Sequence, residues 1–334
     1  MPASAPRVLV TPRSLTASGH PALDRLGEAG FEVVCSTPGR QPDEHELARL
    51  VPSCVGWLAG VEPVSPAVIR ASTQLRAISR NGVGVDNLPM DVIAERGIVV
   101  RTADGANAAG VAELALGLMF ACLRHIPLAN AGIKAGGWPR FRGGEIRGRE
   151  IGIVGCGAIG REVARLVTAL GARVIAFDPM EPDLGLPADR FSYAGLHGVL
   201  DRAQVLTLHC PPPRDGRALI GEAEIARMRP GVFLINTARA GLIDEPAMLA
   251  ALDRGKVAAY ATDVFPEEPP RALSLAGHPR VIATSHIGAF TDESVERATD
   301  LAVTNLLESL TAAGAQPAPQ AGVQPDVQPD VHAR

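Results

Sequence analysis

Two groups of residues in this chain have types and spacings that can do chemistry. The first is the run Gly155-Cys156-Gly157-Ala158-Ile159-Gly160, with the apolar stretch Ile151–Val154 before it and the amphipathic pattern Arg161–Leu170 after it. A second apolar stretch, Val174–Phe177, ends on Asp178, eighteen residues beyond the last glycine. Strand, glycine turn, helix, strand and terminal acid in this order read as a dinucleotide site. Gly155 permits the tight turn, Gly157 lets the backbone approach a pyrophosphate, and Gly160 lets helix and sheet pack closely. The helix N-terminus presents N–H groups and the positive end of its dipole to the phosphates. Asp178 can accept hydrogen bonds from ribose hydroxyls and repels a 2′-phosphate. No Arg or Lys follows it before Arg190, so NAD is favoured over NADP.

The second group is Arg239, Glu268 and His286, each following a different predicted strand. A guanidinium is always charged and can hold a carboxylate through two parallel hydrogen bonds. An imidazole exchanges a hydroxyl proton near neutral pH. A carboxylate behind it fixes the tautomer and favours the imidazolium. Together they suit hydride transfer at an alcohol or ketone carbon.

These groups must be positioned by strand ends. Up to residue 100 the pattern predicts strands at Val8–Val10, Phe31–Val34, Gly56–Leu58, Leu75–Ile78 and Ile98–Val100. Helices are predicted near Pro21–Glu28, Asp43–Leu50, Ser65–Ala71 and Pro89–Glu95. A long helical pattern runs from Asn107 to about Ile126. A second series has strands at Ile151–Val154, Val174–Phe177, Val205–Leu208, Val232–Ile235, Ala258–Thr262 and Val281–Ala283, then a helix over Asp292–Leu310. Strands alternating with helices imply parallel, doubly wound α/β sheets, six strands in the second, with ligands beyond the carboxyl ends of the strands.

The chain resembles the D-isomer-specific 2-hydroxyacid dehydrogenases, in the branch that includes D-3-phosphoglycerate dehydrogenase. The resemblance rests on Asn81-Gly-Val-Gly-Val-Asp-Asn87, Gly155–Gly160 with Asp178, Ile235–Asp244, Asp263-Val-Phe-Pro-Glu-Glu-Pro269 and His286-Ile-Gly-Ala289. It implies a Rossmann nucleotide domain inserted into a flavodoxin-like substrate domain. Residues 1–101 and 285–311 form the substrate domain, 102–284 bind NAD, and 312–334 form a disordered tail. It further implies that Arg239 binds and polarises a 2-oxo acid, His286 is the acid/base and Glu268, directly before the proline, supports it. By the same resemblance, Ala158 and Ile159 offer backbone contacts to the pyrophosphate, Asp178 holds the adenosine ribose, and Cys210, Thr237 and Asp263 line the nicotinamide half. Asn81, Gly82, Val83 and Gly84 supply backbone donors to the substrate carboxylate. Domain closure on two hinges then brings that loop towards Arg239 and His286. The Asn107–Ile126 helix and the Trp138 region resemble a dimerisation arm, giving a homodimer.

Several positions depart from the pattern. Ala240 replaces a usual Gly and requires φ below zero. Pro211-Pro-Pro213 and Gly216 replace a pattern that brings a threonine to the cofactor. Ala59-Gly-Val-Glu62 stands where phosphoglycerate-specific members carry an Arg-Ser pair, which weakens the case for a phosphorylated substrate; Arg140 and Arg142 are the nearest compensating cations. The rival readings are a formate dehydrogenase, against which Glu268 counts because those enzymes carry Gln there, and an NADH-sensing corepressor on the same fold.

Bulk properties agree. The 334 residues suffice for two domains. A net charge of −4 and 4% aromatics argue against nucleic acid as partner. Five scattered cysteines without metal-ligand spacing suggest reduced thiols in a cytoplasm and no metal. The apolar stretch Val111–Leu123 carries Glu113 and is too short for a membrane span.

Overall fold

A computed structural model describes residues 5–271 and 273–315. The chain divides into two compact units, one running to Ala103 and resuming at Thr299, the other comprising Asp104–Ala298. Residues 285–298 therefore group with the second unit, whereas the sequence reading placed them in the first. The reason is local: the Asp263 carboxylate holds the N–H groups of Ile287 and Gly288, and the Arg297 Nε donates to Ala106 O at 2.9 Å.

The first unit contains five parallel strands: β1 (Arg7–Val10), β2 (Glu32–Cys35), β3 (Cys54–Ala59), β4 (Ala77–Arg80) and β5 (Val99–Thr102). Their order is β2-β1-β3-β4-β5, the flavodoxin-like arrangement. Alternation along the strands sends side chains to opposite faces. Leu9, Trp57 and Ile78 pack with Leu47, Val68 and Ile69, while Val8, Val10 and Leu58 pack with Leu26, Val303, Leu306 and Leu310. The fourth strand lies later than the Leu75–Ile78 expected from its apolar residues, because Ser79 and Arg80 are buried too. The Ser79 hydroxyl donates to Ala302 O at 2.7 Å, which removes the penalty of burying it.

The second unit has seven parallel strands: β6 (Glu150–Val154), β7 (Arg173–Phe177), β8 (Phe191–Tyr193), β9 (Val205–Leu208), β10 (Val232–Asn236), β11 (Val257–Thr262) and β12 (Val281–Ala283). Their order, β12-β11-β10-β9-β6-β7-β8, is a Rossmann sheet whose reversal falls between β6 and β9. One strand more than the expected six is present. The three-residue edge strand β8 has no apolar run to announce it, only Phe191 and Tyr193 flanking a serine.

Helix Ala108–Arg124 buries Val111, Ala112, Ala115, Leu118, Met119 and Cys122, a heptad-like spacing that leaves Glu113 exposed. It ends earlier than predicted. His125 takes φ 53° and a second helix, Ile126–Lys134, departs at 64°. Pro127 has no N–H to extend the first helix, so the break is written in the sequence. Among the described residues no single helix is long and apolar enough to cross a membrane. A short helix at Arg13–Ser18 was also not anticipated. Of the expected disordered tail, Ala312 closes the final helix, Asp292–Ala312, and residues 316–334 lie outside the described residues.

Candidate active site

The glycine fingerprint leads from β6 into helix Ala158–Ala169. Gly155 holds φ 93°, and a Cβ there would lie 2.6 Å from the His209 carbonyl oxygen. At Gly160 a Cβ would lie 1.9 Å from Gly155 O, so only glycine fits. Gly157 is different, because a Cβ there would meet no protein atom within 4 Å. It is also the N-cap, and no side chain caps the N–H groups that begin at Ala158 and Ile159. An open approach to uncapped N–H groups at a helix start fits a pyrophosphate.

Asp178 follows β7. Its Oδ2 accepts from Cys156 N at 2.7 Å and its Oδ1 from Met180 N at 2.9 Å. The acid that the sequence assigns to a ribose braces the glycine loop in this structure. Thr237, just past β10, is buried, and its Oγ1 has no hydrogen-bond partner among the described residues. Cys210 follows β9 half-buried, and burial pushes its thiol up to about 11, so it is not a thiolate nucleophile.

Arg239 follows β10 in extended backbone, with its carbonyl accepting from the Asn236 side-chain amide at 2.9 Å. Ala240 opens a 3-10 turn and is not among the residues of positive φ, which meets the condition for replacing glycine. Beyond β11 lies Asp263, only 1% exposed. Its Oδ1 accepts from Thr284 Oγ1 at 2.6 Å and Ile287 N at 2.9 Å, and its Oδ2 from Gly288 N at 2.8 Å. Its carboxylate is therefore engaged in shaping the loop after β12.

That loop carries His286, one of three non-glycine residues of positive φ among the described residues, at 55°. Strain of this kind persists where the surroundings over-determine it, here through the flanking bonds to Asp263. His286 Nδ1 lies 2.7 Å from Glu268 Oε2, and Glu268 Oε1 accepts from Phe265 N at 3.1 Å. The neighbouring acid, Glu267, turns instead to Arg271 at 2.9 Å. With Nδ1 engaged, Nε2 is the atom available to a substrate.

All these residues follow strands of one parallel sheet at its carboxyl edge. The family description "D-isomer specific 2-hydroxyacid dehydrogenase, NAD binding domain" matches residues 116–288, which include every one of them. The chain belongs to this family. The cofactor of this dehydrogenase is accordingly NAD.

Hydroxypyruvate reductase of Thermotoga maritima is 39% identical over 264 residues, covering 76% of this chain and 84% of that protein. D-3-phosphoglycerate dehydrogenase of Bacillus subtilis is 39% identical over 297 residues, 86% of this chain but 54% of that protein. The dehydrogenase thus spans about half the length of the phosphoglycerate dehydrogenases it matches. Among solved structures, a glyoxylate reductase from Paecilomyes thermophila superposes with TM-score 0.79 at 28% identity, covering 93% of this chain and 96% of that one. A 3-phosphoglycerate dehydrogenase from Entamoeba histolytica bound to NAD+ gives 0.77 at 25%, covering 92% and 96%.

One residue of this edge escaped the sequence reading. His209 follows β9, is half-buried with its Nδ1 shut off from solvent, and packs its backbone against Gly155. Its Nε2 lies 2.8 Å from Thr207 Oγ1 and its Nδ1 has no partner. Burial drives its pKa down to about 3, so the ring is neutral in the working range. The signal available was its place, the first residues after a strand, beside the already noted Cys210.

Asn81–Gly84 belongs to the other unit and follows β4. Gly82 takes φ 148°; among the described residues Asn81 Oδ1 is buried without a partner and the N–H groups of Val83 and Gly84 make no backbone hydrogen bond.

Proposed function

We propose that the dehydrogenase interconverts a small D-2-hydroxy acid and its 2-oxo acid, with His286 as acid/base, Glu268 as its positioning carboxylate and Arg239 as the substrate-binding cation. The observation that carries this reading is the 2.7 Å pair between His286 Nδ1 and Glu268 Oε2 on the sheet edge that also bears the glycine fingerprint. Glu268 fixes Nδ1 as the donor towards it, leaving Nε2 to give a proton to the carbonyl oxygen during reduction and to take it back during oxidation. Arg239 holds the carboxylate and polarises the carbonyl. Bound NAD supplies or accepts the hydride. Gly157, Ala158 and Ile159 hold its pyrophosphate, Asp178 its ribose, and Cys210, Thr237 and Asp263 line its nicotinamide end. The unpaired N–H groups after Gly82, with Asn81, support a carboxylate-binding role for Asn81–Gly84 in the first unit, which we read as the substrate domain.

Incubation with NAD+ and matched D- and L-2-hydroxy acids tests the reading. It requires NADH formation with D-lactate or D-glycerate and a far slower rate with the L-isomers. Equal rates, or none with either, would remove it.

We also propose a cytoplasmic homodimer without nucleic-acid or membrane partners. Helix Ile126–Lys134 buries no residue, and Ile126, Ile133, Phe141 and Trp138 (81% exposed) form apolar surface suited to a second copy. The five cysteines are free thiols.

A further inference from the structure

Tyr260, on β11, is buried and carries a hydroxyl that the proposed mechanism leaves without a task. The strand register pairs Leu234 with Tyr260 and Asn236 with Thr262, so these four residues share one face of the sheet. Asn236 stands two positions nearer the carboxyl edge, and the Tyr260 Oη accepts from its Nδ2 at 3.3 Å. Burial pushes this hydroxyl up to about 12, so it stays protonated and takes the amide proton on an oxygen lone pair.

Asn236 is fully buried, and its side chain closes the turn that follows β10. Its Oδ1 accepts from Ala238 N at 3.1 Å, and its Nδ2 donates to Arg239 O at 2.9 Å. Arg239 Nη1 in turn donates to Ala238 O at 2.8 Å, so the guanidinium is tied to the same turn. One Nδ2 hydrogen serves Arg239 O; among the described residues, Tyr260 Oη is the acceptor left for the other. A buried N–H without an acceptor is costly, so the hydroxyl completes the Asn236 amide. Packing does not hold the turn from that side. Tyr260 and Ala240, the residue after Arg239, both line a cavity of about 200 Å³. A turn beside unfilled space keeps its place through its hydrogen bonds.

We infer that Tyr260 is a positioning residue: through the Asn236 amide, its hydroxyl fixes the turn that aims the Arg239 guanidinium at the substrate carboxylate. This rests on the dehydrogenase reading above, in which Arg239 is the substrate-binding cation. Two parallel hydrogen bonds to a carboxylate require a guanidinium plane held in place, so a small shift of the turn weakens substrate binding. The proposed pyrophosphate and ribose contacts lie on other elements, at Gly157–Ile159 and Asp178, and do not depend on this brace.

The test compares wild type with Tyr260→Phe, which removes the hydroxyl and keeps the ring, using NADH and whichever 2-oxo acid the wild type reduces. KM for that acid should rise about three- to tenfold, the effect of one neutral hydrogen bond, with kcat and the NADH dissociation constant changed by less than about twofold. An unchanged KM, or a loss confined to kcat and melting temperature, would mark a merely structural tyrosine and overturn the inference. A second comparison shows how the effect travels. In an Arg239→Gln background there is no guanidinium to aim, so adding Tyr260→Phe should leave kcat/KM unaltered. Losses that multiply would overturn the inference. Should Tyr260→Phe fail to fold, Asn236→Ser takes its place, since its hydroxyl can serve Ala238 N but cannot also bridge Arg239 O and Tyr260. The same rise in KM is expected, and a wild-type KM overturns the proposal. A wild type that reduces no 2-oxo acid would instead strike the dehydrogenase reading and this inference with it.

Discussion

His286 Nδ1 lies 2.7 Å from Glu268 Oε2 although the two residues are eighteen positions apart and leave different strands, and His286 reaches that position from a left-handed backbone at φ 55°. The pairing is built by Asp263, which gathers the N–H groups on the C-terminal side of His286. Replacing Glu268 with Gln keeps a hydrogen-bonding partner but removes the charge that balances an imidazolium. Turnover should drop about 10²-fold, with NADH affinity little changed. Steady-state rates together with fluorescence titration of NADH check this, and an unaltered kcat would detach Glu268 from the mechanism.

The glycines give a contrast between binding and folding. Gly157→Ala adds a methyl group into space free of protein atoms at φ −65°, so the melting temperature should stay within a degree or two. NADH binding should nonetheless weaken by an order of magnitude, because that space is where a pyrophosphate approaches. Gly160→Ala forces a carbon to within 1.9 Å of Gly155 O and should destabilise the second unit itself. Calorimetric titration and thermal melts separate the two cases; equal NADH affinity in Gly157→Ala and wild type would contradict the cradle.

Asp178 carries both a charge and a structural bond to Cys156 N. Asp178→Asn preserves a hydrogen-bonding side chain while removing the repulsion towards a 2′-phosphate. The ratio of kcat/KM for NADH over NADPH should fall, with the fold still intact by circular dichroism. A ratio equal to that of the wild type would refute the ribose assignment.

His209 ties stability to pH. Its folded-state pKa of about 3 lies below the value of an unfolded histidine, so the unfolded chain binds the proton first. Its contribution is present above about pH 6.5 and is lost as pH falls towards 3, at up to roughly 1.4 kcal/mol per pH unit. Urea unfolding of the wild type between pH 6.5 and 4.5 should show this slope, and His209→Gln should flatten it by about one proton. Parallel slopes in the two proteins would show that His209 is not the group responsible.

Much of this was legible in the residues themselves. The inner strands of the second unit, β6, β7, β9 and β10, are short runs rich in Val, Ile and Leu and largely buried, and such runs announce themselves without tertiary information. Asp178, Arg239 and Glu268 could be placed because each stands a fixed step beyond such a run. What escaped notice depends on contacts across the fold. Phe191–Tyr193 is a strand only because it pairs with β7, and β4 is shifted because Ser79 finds a carbonyl 223 positions away. The grouping of 285–298 with the second unit follows from Asp263, whose partners no spacing rule reveals. His209 was overlooked because its importance lies in a desolvated, neutral ring, and desolvation is a property of the packed sheet.

The central claim is that His286, on the sheet edge that binds NAD, moves the proton that accompanies hydride transfer. The most direct measurement follows NADH consumption by wild type and His286→Asn over a panel of glyoxylate, pyruvate, hydroxypyruvate and bulkier 2-oxo acids, alongside NADH binding. The account predicts turnover of at least one compound by the wild type, and a fall of about 10²- to 10⁴-fold in the variant with NADH still bound. Equal rates in the two proteins, or tight NADH binding with no turnover of any compound by the wild type, would contradict it.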